Sequence, residues 1–469
     1  MNPNFEFEHR DWEAFHQKAF FIDMHAHPTF PASFFPPIRL LPFFPSYRHA
    51  NQCDLDNLPS PRGYRGSTIF KFRTAFPLLQ AGGADVVLTN AVVPEDDFLG
   101  AFLGSRGNLR RVARLPLLAY VYKQYLSHSY FQATLNMLEA IATEVDEFNR
   151  FADEMNRTTA TKRRLVEIVH SVKRLKEIKA LNGERPIALV HAVEGAHSLQ
   201  GHKAGKGIRK YQNYHGTGQL EKEDEVRQEI LDNLHTLCER GVACITVAHF
   251  YPNVVAAPCF PYPDYALGEL DFLGNSEKEQ IHHNLALGLT SIGREIIKEI
   301  LRLGMLVDVS HCTPRARASI YEIADEIDVE YQVVATHVGA YAVNPSPYNL
   351  EDWEIEWIAR KKGIVGVILM PFWTQPHNRV MGVDFLSRTI EHIRQVGGDN
   401  VIAIGTDFDG ATDPPDELAH YGQIPRLTER LMAEQFRKQN KYSDELIMKI
   451  LGGNAWSVLE NGWRYGCGP

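Results

Sequence analysis

The 469 residues are 44% hydrophobic and 23% charged, an ordinary globular balance with enough chain to bury a large core. The formal net charge of -9, with Lys and Arg scattered among acids as in Glu221-Lys222-Glu223-Asp224-Glu225, argues against a nucleic-acid surface, which needs clustered basic charge. No apolar stretch approaches the ~20 residues that span a bilayer, so no membrane partner is expected. The six cysteines are far apart and form no C-x-x-C pair, and Met1 to Glu8 has no basic start followed by an apolar run. A cytoplasmic setting without a secretory leader is the expectation.

Eight short, nearly continuous apolar runs follow one another along the chain, the pattern of strands buried on both faces of a parallel sheet. The first, Phe20 to Met24, ends in Asp23-Met24-His25-Ala26-His27. Residues two apart on a strand share a face, so His25 and His27 can offer two imidazoles to one metal. An H-x-H alone is more often a pair of surface or core histidines. A long segment from Pro28 to Gly83 precedes the second run, Ala84 to Thr89. A longer one, Val92 to Arg185, precedes the third, Ile187 to Ala192, which ends in Val193-Glu194-Gly195. Glu194 sits where a carboxylate can bridge two cations, although a lone Glu there more often forms a structural ion pair. His191 is three residues away, so alternation turns it to the other face.

Leu220 to Arg240 has acids in its first turns and Ile230, Leu231, Leu234 and Leu237 at helical spacing. The fourth run, Ala243 to Ala248, ends in His249, read as a group that contacts substrate and steadies an oxyanion; the competing role is packing. Thr290 caps a helix to Leu303, with Gly304 as its stop. The fifth run, Met305 to Val309, ends in Ser310-His311, and the sixth, Gln332 to Thr336, in His337. Imidazole is the commonest protein ligand for zinc. The seventh run is Ile364 to Met370, with helical patterns at Val383 to Val396 and Ser443 to Leu459. The eighth, Val401 to Gly405, ends in Thr406-Asp407-Phe408-Asp409-Gly410. Asp409-Gly410 looks like a turn pair, leaving Asp407 as the carboxylate for proton transfer, against the competing role of a cap or loop anchor.

Alternating strands and helices predict an α/β fold, a (β/α)8 TIM barrel with long insertions in its βα loops. The expected organisation is one hydrolase domain over residues 1–469, with insertions at about 28–83 and 92–185. Loops after the strands build the active face of such barrels. The Pro- and aromatic-rich stretches 29–47 and 251–265 are candidates to roof a pocket, or surface padding. Four strands ending in possible ligands and a fifth in a carboxylate form a constellation that single residues do not. It fits two divalent cations, zinc by preference, with His25, His27, Glu194, His311 and His337 as ligands.

At these residues the chain resembles the amidohydrolase superfamily, and within it the membrane (renal) dipeptidase family, peptidase family M19. The resemblance runs from Phe20 to Leu459 and is strongest from Gly288 onward. Gly288-Leu289-Thr290-Ser291-Ile292-Gly293 is similar to G-L-T-x-x-G, Asp308-Val309-Ser310-His311 to D-x-S-H, and Gly405-Thr406-Asp407-Phe408-Asp409-Gly410 to G-S-D-F-D-G. Thr336-His337 with Ala340-Tyr341 resembles S-H-S-x-A-Y, Ile450 to Asn454 matches I-L-G-G-N, and Val193-Glu194-Gly195-Ala196-His197 resembles V-E-G-G-H. The resemblance implies that His25 and His27 bind one zinc, His311 and His337 the other, and that Glu194 bridges. It also implies that His249 contacts substrate, that Asp407 transfers the proton, and that the chain is a homodimer acting on a small-molecule substrate.

Two departures stand out. The family has H-x-D on the first strand where this chain has His27. The family also carries, after the position of Tyr341, an Arg that grips the substrate's C-terminal carboxylate. Asn344-Pro345-Ser346-Pro347-Tyr348-Asn349 contains none. The expected activity is therefore amide hydrolysis with dipeptides as first substrates. The alternatives are a lactone or non-peptide amide as substrate, or a barrel that binds metal or ligand without turnover.

Overall fold

The computed structural model of the protein describes residues 12–35, 46–64, 71–95, 127–202, 214–215, 218–259, 285–370, 382–410, 413–433, 439 and 442–464. Nine strands are present among them: β1 Phe21–Ala26, β2 Ala84–Ala91, β3 Val166–Val169, β4 Ile187–Glu194, β5 Cys244–Thr246, β6 Leu306–Asp308, β7 Val333–Val338, β8 Val365–Ile368 and β9 Ile402–Gly405. All the pairings are parallel. The ring closes as β1-β2-β4-β5-β6-β7-β8-β9 and back to β1, an eight-stranded barrel with helices around it. The eight apolar runs are its eight strands.

The ninth strand, β3, was not among the sequence expectations. Alternation is broken in Val166-Glu167-Ile168-Val169, and four residues are too few to read as a period. β2 occupies one edge of β4 from Ala188 to Val193. β3 takes the other edge from Ile187 to Val190, and β5 takes over from Ala192 to Glu194. β3 thus pairs outside the ring. The described part of the long 92–185 segment also contains a helix, Tyr130–Thr158. Ser129 caps it by accepting from Gln132 N, and Tyr130, Ala133, Met137, Ile141, Val145, Phe148 and Ala152 form its buried stripe. Of the two candidate roof stretches, 36–45 and 260–265 lie outside the described residues. Within the first, Thr29–Phe34 is a short helix packed against Tyr130–Thr158.

The predicted helices at 220–240, 290–303 and 383–396 form as Glu223–Glu239, Ser291–Arg302 and Val383–Gly397. Thr290 Oγ1 accepts from Gly293 N, as its capping role requires. The last predicted helix is broken into Asp444–Met448, a π turn at Lys449–Gly453 and Asn454–Gly462. Gly452 lies against the Phe20 carbonyl, where a Cβ would collide, and this close approach seats the final helix under β1.

Ile22, Met24, Val86, Leu88, Ala188, Val190, Ala192, Cys244, Leu306, Val334, Ile364 and Ala403 form one buried cluster. Residues from or beside all eight barrel strands meet only in the barrel's interior. Val458, Leu459 and Trp463 join it and plug one end. Intervening strand residues such as Val87, Leu189, Ile245, Val307 and Ile404 pack outward with the helices in a second cluster. Each fully buried Val, Leu or Ile contributes about 1.5–3 kcal/mol relative to exposure. The apolar plug leaves the C-terminal ends of the strands as the polar mouth.

Candidate metal centre

All seven predicted site residues are buried and converge at that mouth. Glu194 is the hub. Its Oε1 lies 3.0 Å from His311 Nε2 and 3.4 Å from both His337 Nε2 and His25 Nε2. Its Oε2 lies 3.4 Å from His27 Nε2. His25 and His27 bring their Nε2 atoms within 3.1 Å, and His311 and His337 within 2.9 Å. Asp407 Oδ1 is 3.0 Å from His27 Nε2.

Strand alternation alone does not produce this convergence. Between Asp23↔Val87 and Ala26↔Thr89, β1 advances three residues against two on β2. Between Ala335↔Val365 and Val338↔Val367, β7 advances three against two on β8. Each irregularity lets two consecutive residues face inward, as bulges beside active sites do. Met24 lies in the interior cluster, and His25 Nδ1 still reaches Thr336 Oγ1 at 2.9 Å. On β7 both Thr336 and His337 point to the site. His311 (φ 64°) and Asp407 (φ 54°) occupy the left-handed region, a strained backbone for a side chain, at the turns leaving β6 and β9.

Two buried carboxylates brace the arrangement, and sequence reasoning passed over both. Asp23 accepts from His25 N at 3.0 Å, Thr406 N at 2.9 Å and Thr406 Oγ1 at 2.6 Å. Asp308 accepts from Thr336 N (2.8 Å), Thr336 Oγ1 (2.6 Å), Thr246 Oγ1 (2.7 Å), Ser310 N (3.0 Å) and Ser310 Oγ (2.7 Å). Since Thr336 gives its proton to Asp308, its oxygen is left to accept from His25 Nδ1 and His337 Nδ1, both at 2.9 Å. This fixes both rings as the tautomer whose Nε2 carries a lone pair. Asp409 accepts from Arg73 N, Thr74 N and Thr74 Oγ1, so it anchors a loop, leaving Asp407 beside the histidines. His191 turns away from the mouth and packs against His170.

A further buried carboxylate, Glu95, was also missed. It lies beyond the predicted end of the second run, which continues to Ala91. His249 Nδ1 is 3.0 and 2.9 Å from its two oxygens, while His249 Nε2 lies 3.9 Å from Glu194 Oε2. Its one sequence signal was an acid a few residues past the only early strand without a candidate of its own.

The donor set fits divalent zinc. Ligands at 2.0–2.1 Å in a tetrahedral shell lie about 3.3 Å from one another. The nitrogen and oxygen atoms of the His25–His27–Asp407 and Glu194–His311–His337 groups approach that spacing. Burial, with repulsion from His337, holds His25 well below the ordinary histidine range, and burial lowers His311 to about 4. Both are neutral donors near pH 7. Burial works against the Glu194 anion, yet the surrounding imidazoles hold its carboxyl well below the usual range. Burial also lowers His27, but Glu194 and Asp407 outweigh it and raise that ring. Such an anionic focus among imidazoles attracts a cation.

The loop expected to lack an arginine is tightly built. Tyr348 donates its hydroxyl to the His337 carbonyl at 3.2 Å and sets its ring edge-on to His311 at 5.1 Å. Beneath it the buried Arg317 is held by Glu354 at 2.6 and 2.8 Å and donates to the carbonyls of Cys312, Pro347 and Asn349. That guanidinium shapes the loop from below.

A closed parallel barrel with imidazoles and carboxylates gathered at its strand ends defines the chain as one of the amidohydrolase-type metal barrels. The membrane dipeptidase (peptidase family M19) model matches residues 225–462, and the chain belongs to that family. It is 33% identical over 181 residues to an uncharacterized protein in the pqqA 5' region of Klebsiella pneumoniae, covering 38% of this chain and 62% of that one. It is 28% identical over 223 residues to dipeptidase tcpJ of Claviceps purpurea, covering 47% of this chain and 44% of that one. The chain thus spans less than two thirds of these curated relatives. A metallo peptidase from Rhodobacter sphaeroides, liganded with a phosphinate mimic of the dipeptide L-Ala-D-Ala, shares the fold. Its TM-score is 0.58 at 17% identity, over 94% of this chain and 99% of that one.

Proposed function

We propose that the protein is a metal-dependent hydrolase using two zinc ions to cleave an amide bond of a small substrate, with dipeptides such as L-Ala-D-Ala the first choice. The observation that carries this is the convergence of four imidazoles, those of His25, His27, His311 and His337, on the two oxygens of Glu194. Bound there, divalent cations supply carbonyl polarisation and a water acidic enough to attack near neutral pH. His25, His27, His311 and His337 would hold them, with the Glu194 carboxylate between the two pairs. His249 directs Nε2 towards the mouth to steady charge developing on the carbonyl oxygen. Asp407 takes a proton from the attacking water and gives it to the leaving amine as the C–N bond breaks. Its carboxyl is raised by burial above the ordinary aspartate range, which suits it to return that proton.

The deciding measurement is metal content of the purified chain, with hydrolysis of a dipeptide panel before and after chelation. Two ions per chain and chelator-sensitive cleavage support the reading; no bound metal after zinc is restored removes it. Asp407→Asn should abolish turnover and leave metal content nearly unchanged, and equal turnover would sink the proton-transfer role.

A second reading keeps the centre and changes the substrate to a lactone, an N-acyl amino acid or another non-peptide amide. It is favoured by the 344–349 loop, which contains no arginine to clamp a substrate carboxylate. Two ions without dipeptide cleavage select it. Cys53, Cys244, Cys259 and Cys312 stand as thiols, which supports a reducing, cytoplasmic setting. No helix among the described residues is long and apolar enough to cross a membrane. A homodimer completes the proposal, with chain mass in solution as its test.

A further inference from the structure

The carboxylate of Glu95 is buried, at 3% exposure, and no step above uses it. After β2 the chain continues through Val92, Val93 and Pro94, and Glu95 arrives beside the residues that follow β5. Both oxygens face His249 Nδ1, and Oε1 also accepts from Phe250 N at 2.9 Å. A carboxylate only accepts, so Nδ1 of His249 carries a proton towards Glu95, and Nε2 is the nitrogen that faces the mouth. The Phe250 ring lies flat on His249, 3.9 Å away and 17° from parallel. On the other side His197 donates Nε2–H to the Val93 carbonyl at 2.7 Å, bracing the segment that carries Glu95.

We propose that Glu95 is a positioning residue that sets the ring orientation of His249 for the reaction. The inference rests on the hydrolase reading above. The geometry is that of a carboxylate–imidazole pair whose distal nitrogen faces the reacting group; the carboxylate orients the ring and takes no proton itself. Without Glu95 the ring is free to turn about its χ2, so the productive orientation becomes one of several.

The test uses the zinc-loaded full chain, L-Ala-D-Ala as substrate and a phosphinate mimic of that dipeptide as a tetrahedral analogue. Glu95→Ala should lower kcat roughly 10–100-fold while KM stays within about twofold. The phosphinate inhibition constant should rise in step with the loss in kcat/KM, because the analogue reports the transition state. Zinc content should not change, and Glu95→Asp should recover part of the rate. His249→Ala and the double variant E95A/H249A should be equally impaired, since a residue that acts through His249 has nothing left to orient. Unchanged kcat, additive losses, or loss of zinc in E95A would each overturn the proposal.

If the parent chain neither cleaves L-Ala-D-Ala nor binds the phosphinate, the dipeptidase reading fails separately. The orientation of His249 is then read from the side-chain 15N spectrum. The Nδ1–H signal that disappears in His249→Gln should be present in the parent and lost in Glu95→Ala. Its persistence in Glu95→Ala would overturn the assignment of Glu95.

Discussion

The two halves of the metal centre are built by the same device with different reach. On β1, Asp23 binds the backbone of His25 and the backbone and hydroxyl of Thr406, so it ties β1 to the end of β9. On β6, Asp308 binds Thr246, Ser310 and Thr336, so it ties β5, β6 and β7 together. The second half also reaches into the first, because Thr336 Oγ1 accepts from His25 Nδ1 as well as from His337 Nδ1. The β1 half borrows its orientation from the β6–β7 half, and the loan is not returned. Damage on β6 or β7 should therefore spread across the centre, while damage at Asp23 should stay local.

Asp308→Ala should have the largest effect. It strands the hydroxyls of Thr246, Ser310 and Thr336 in a buried setting, at about 1–3 kcal/mol for each group left unsatisfied. Denaturant melts should show a clear loss of stability, and metal analysis should show both ions depleted. Thr336→Val comes next. It keeps the shape but removes the one oxygen serving both rings, so affinity at both positions should fall roughly 10–100-fold in chelator competition. Asp23→Ala should weaken one position by a comparable factor and leave about one ion per chain. Equal depletion of both ions there would show that the asymmetry has no energetic content. His27→Asp is the mildest and sharpens the comparison. It restores an anionic ligand at the β1 half, so two ions should remain bound and kcat should stay within about tenfold of the parent.

The residues that gather at the mouth were readable in the sequence as ligand candidates because each follows an apolar run. A polar residue just past a strand buried on both faces has little place to stand but the barrel's mouth. The braces were not readable for the same physical reason inverted. Asp23 and Asp308 sit inside apolar runs, where a carboxylate is acceptable only with partners, and those partners come from strands distant in the chain. The irregularities of β1 and β7 were hidden too, because a bulge belongs to the register between two strands and one strand's residues do not record it. β3 was missed because its four residues pair at the lower edge of β4, outside the ring, where no long apolar run marks them.

The excluded position of β3 bears on the order in which the chain acquires its shape. β2 must pair with β4 across the whole of residues 92–186, more chain than separates any other two consecutive strands of the ring, while the closing β1–β9 pair spans more still. Closing a longer loop costs more entropy before any contact rewards it, and non-local pairing slows folding. The β5–β9 side should therefore assemble first, and the β1–β2 pair should join it late, at the β2–β4 and β1–β9 seams. Pulse-labelled hydrogen exchange would record this as early protection at Ile402–Gly405 and late protection at Ala84–Ala91. Because Glu194 stands at the top of the β2–β4 seam and the histidines of β1 come in beside it, the hub of the candidate centre is completed only when the ring itself is sealed.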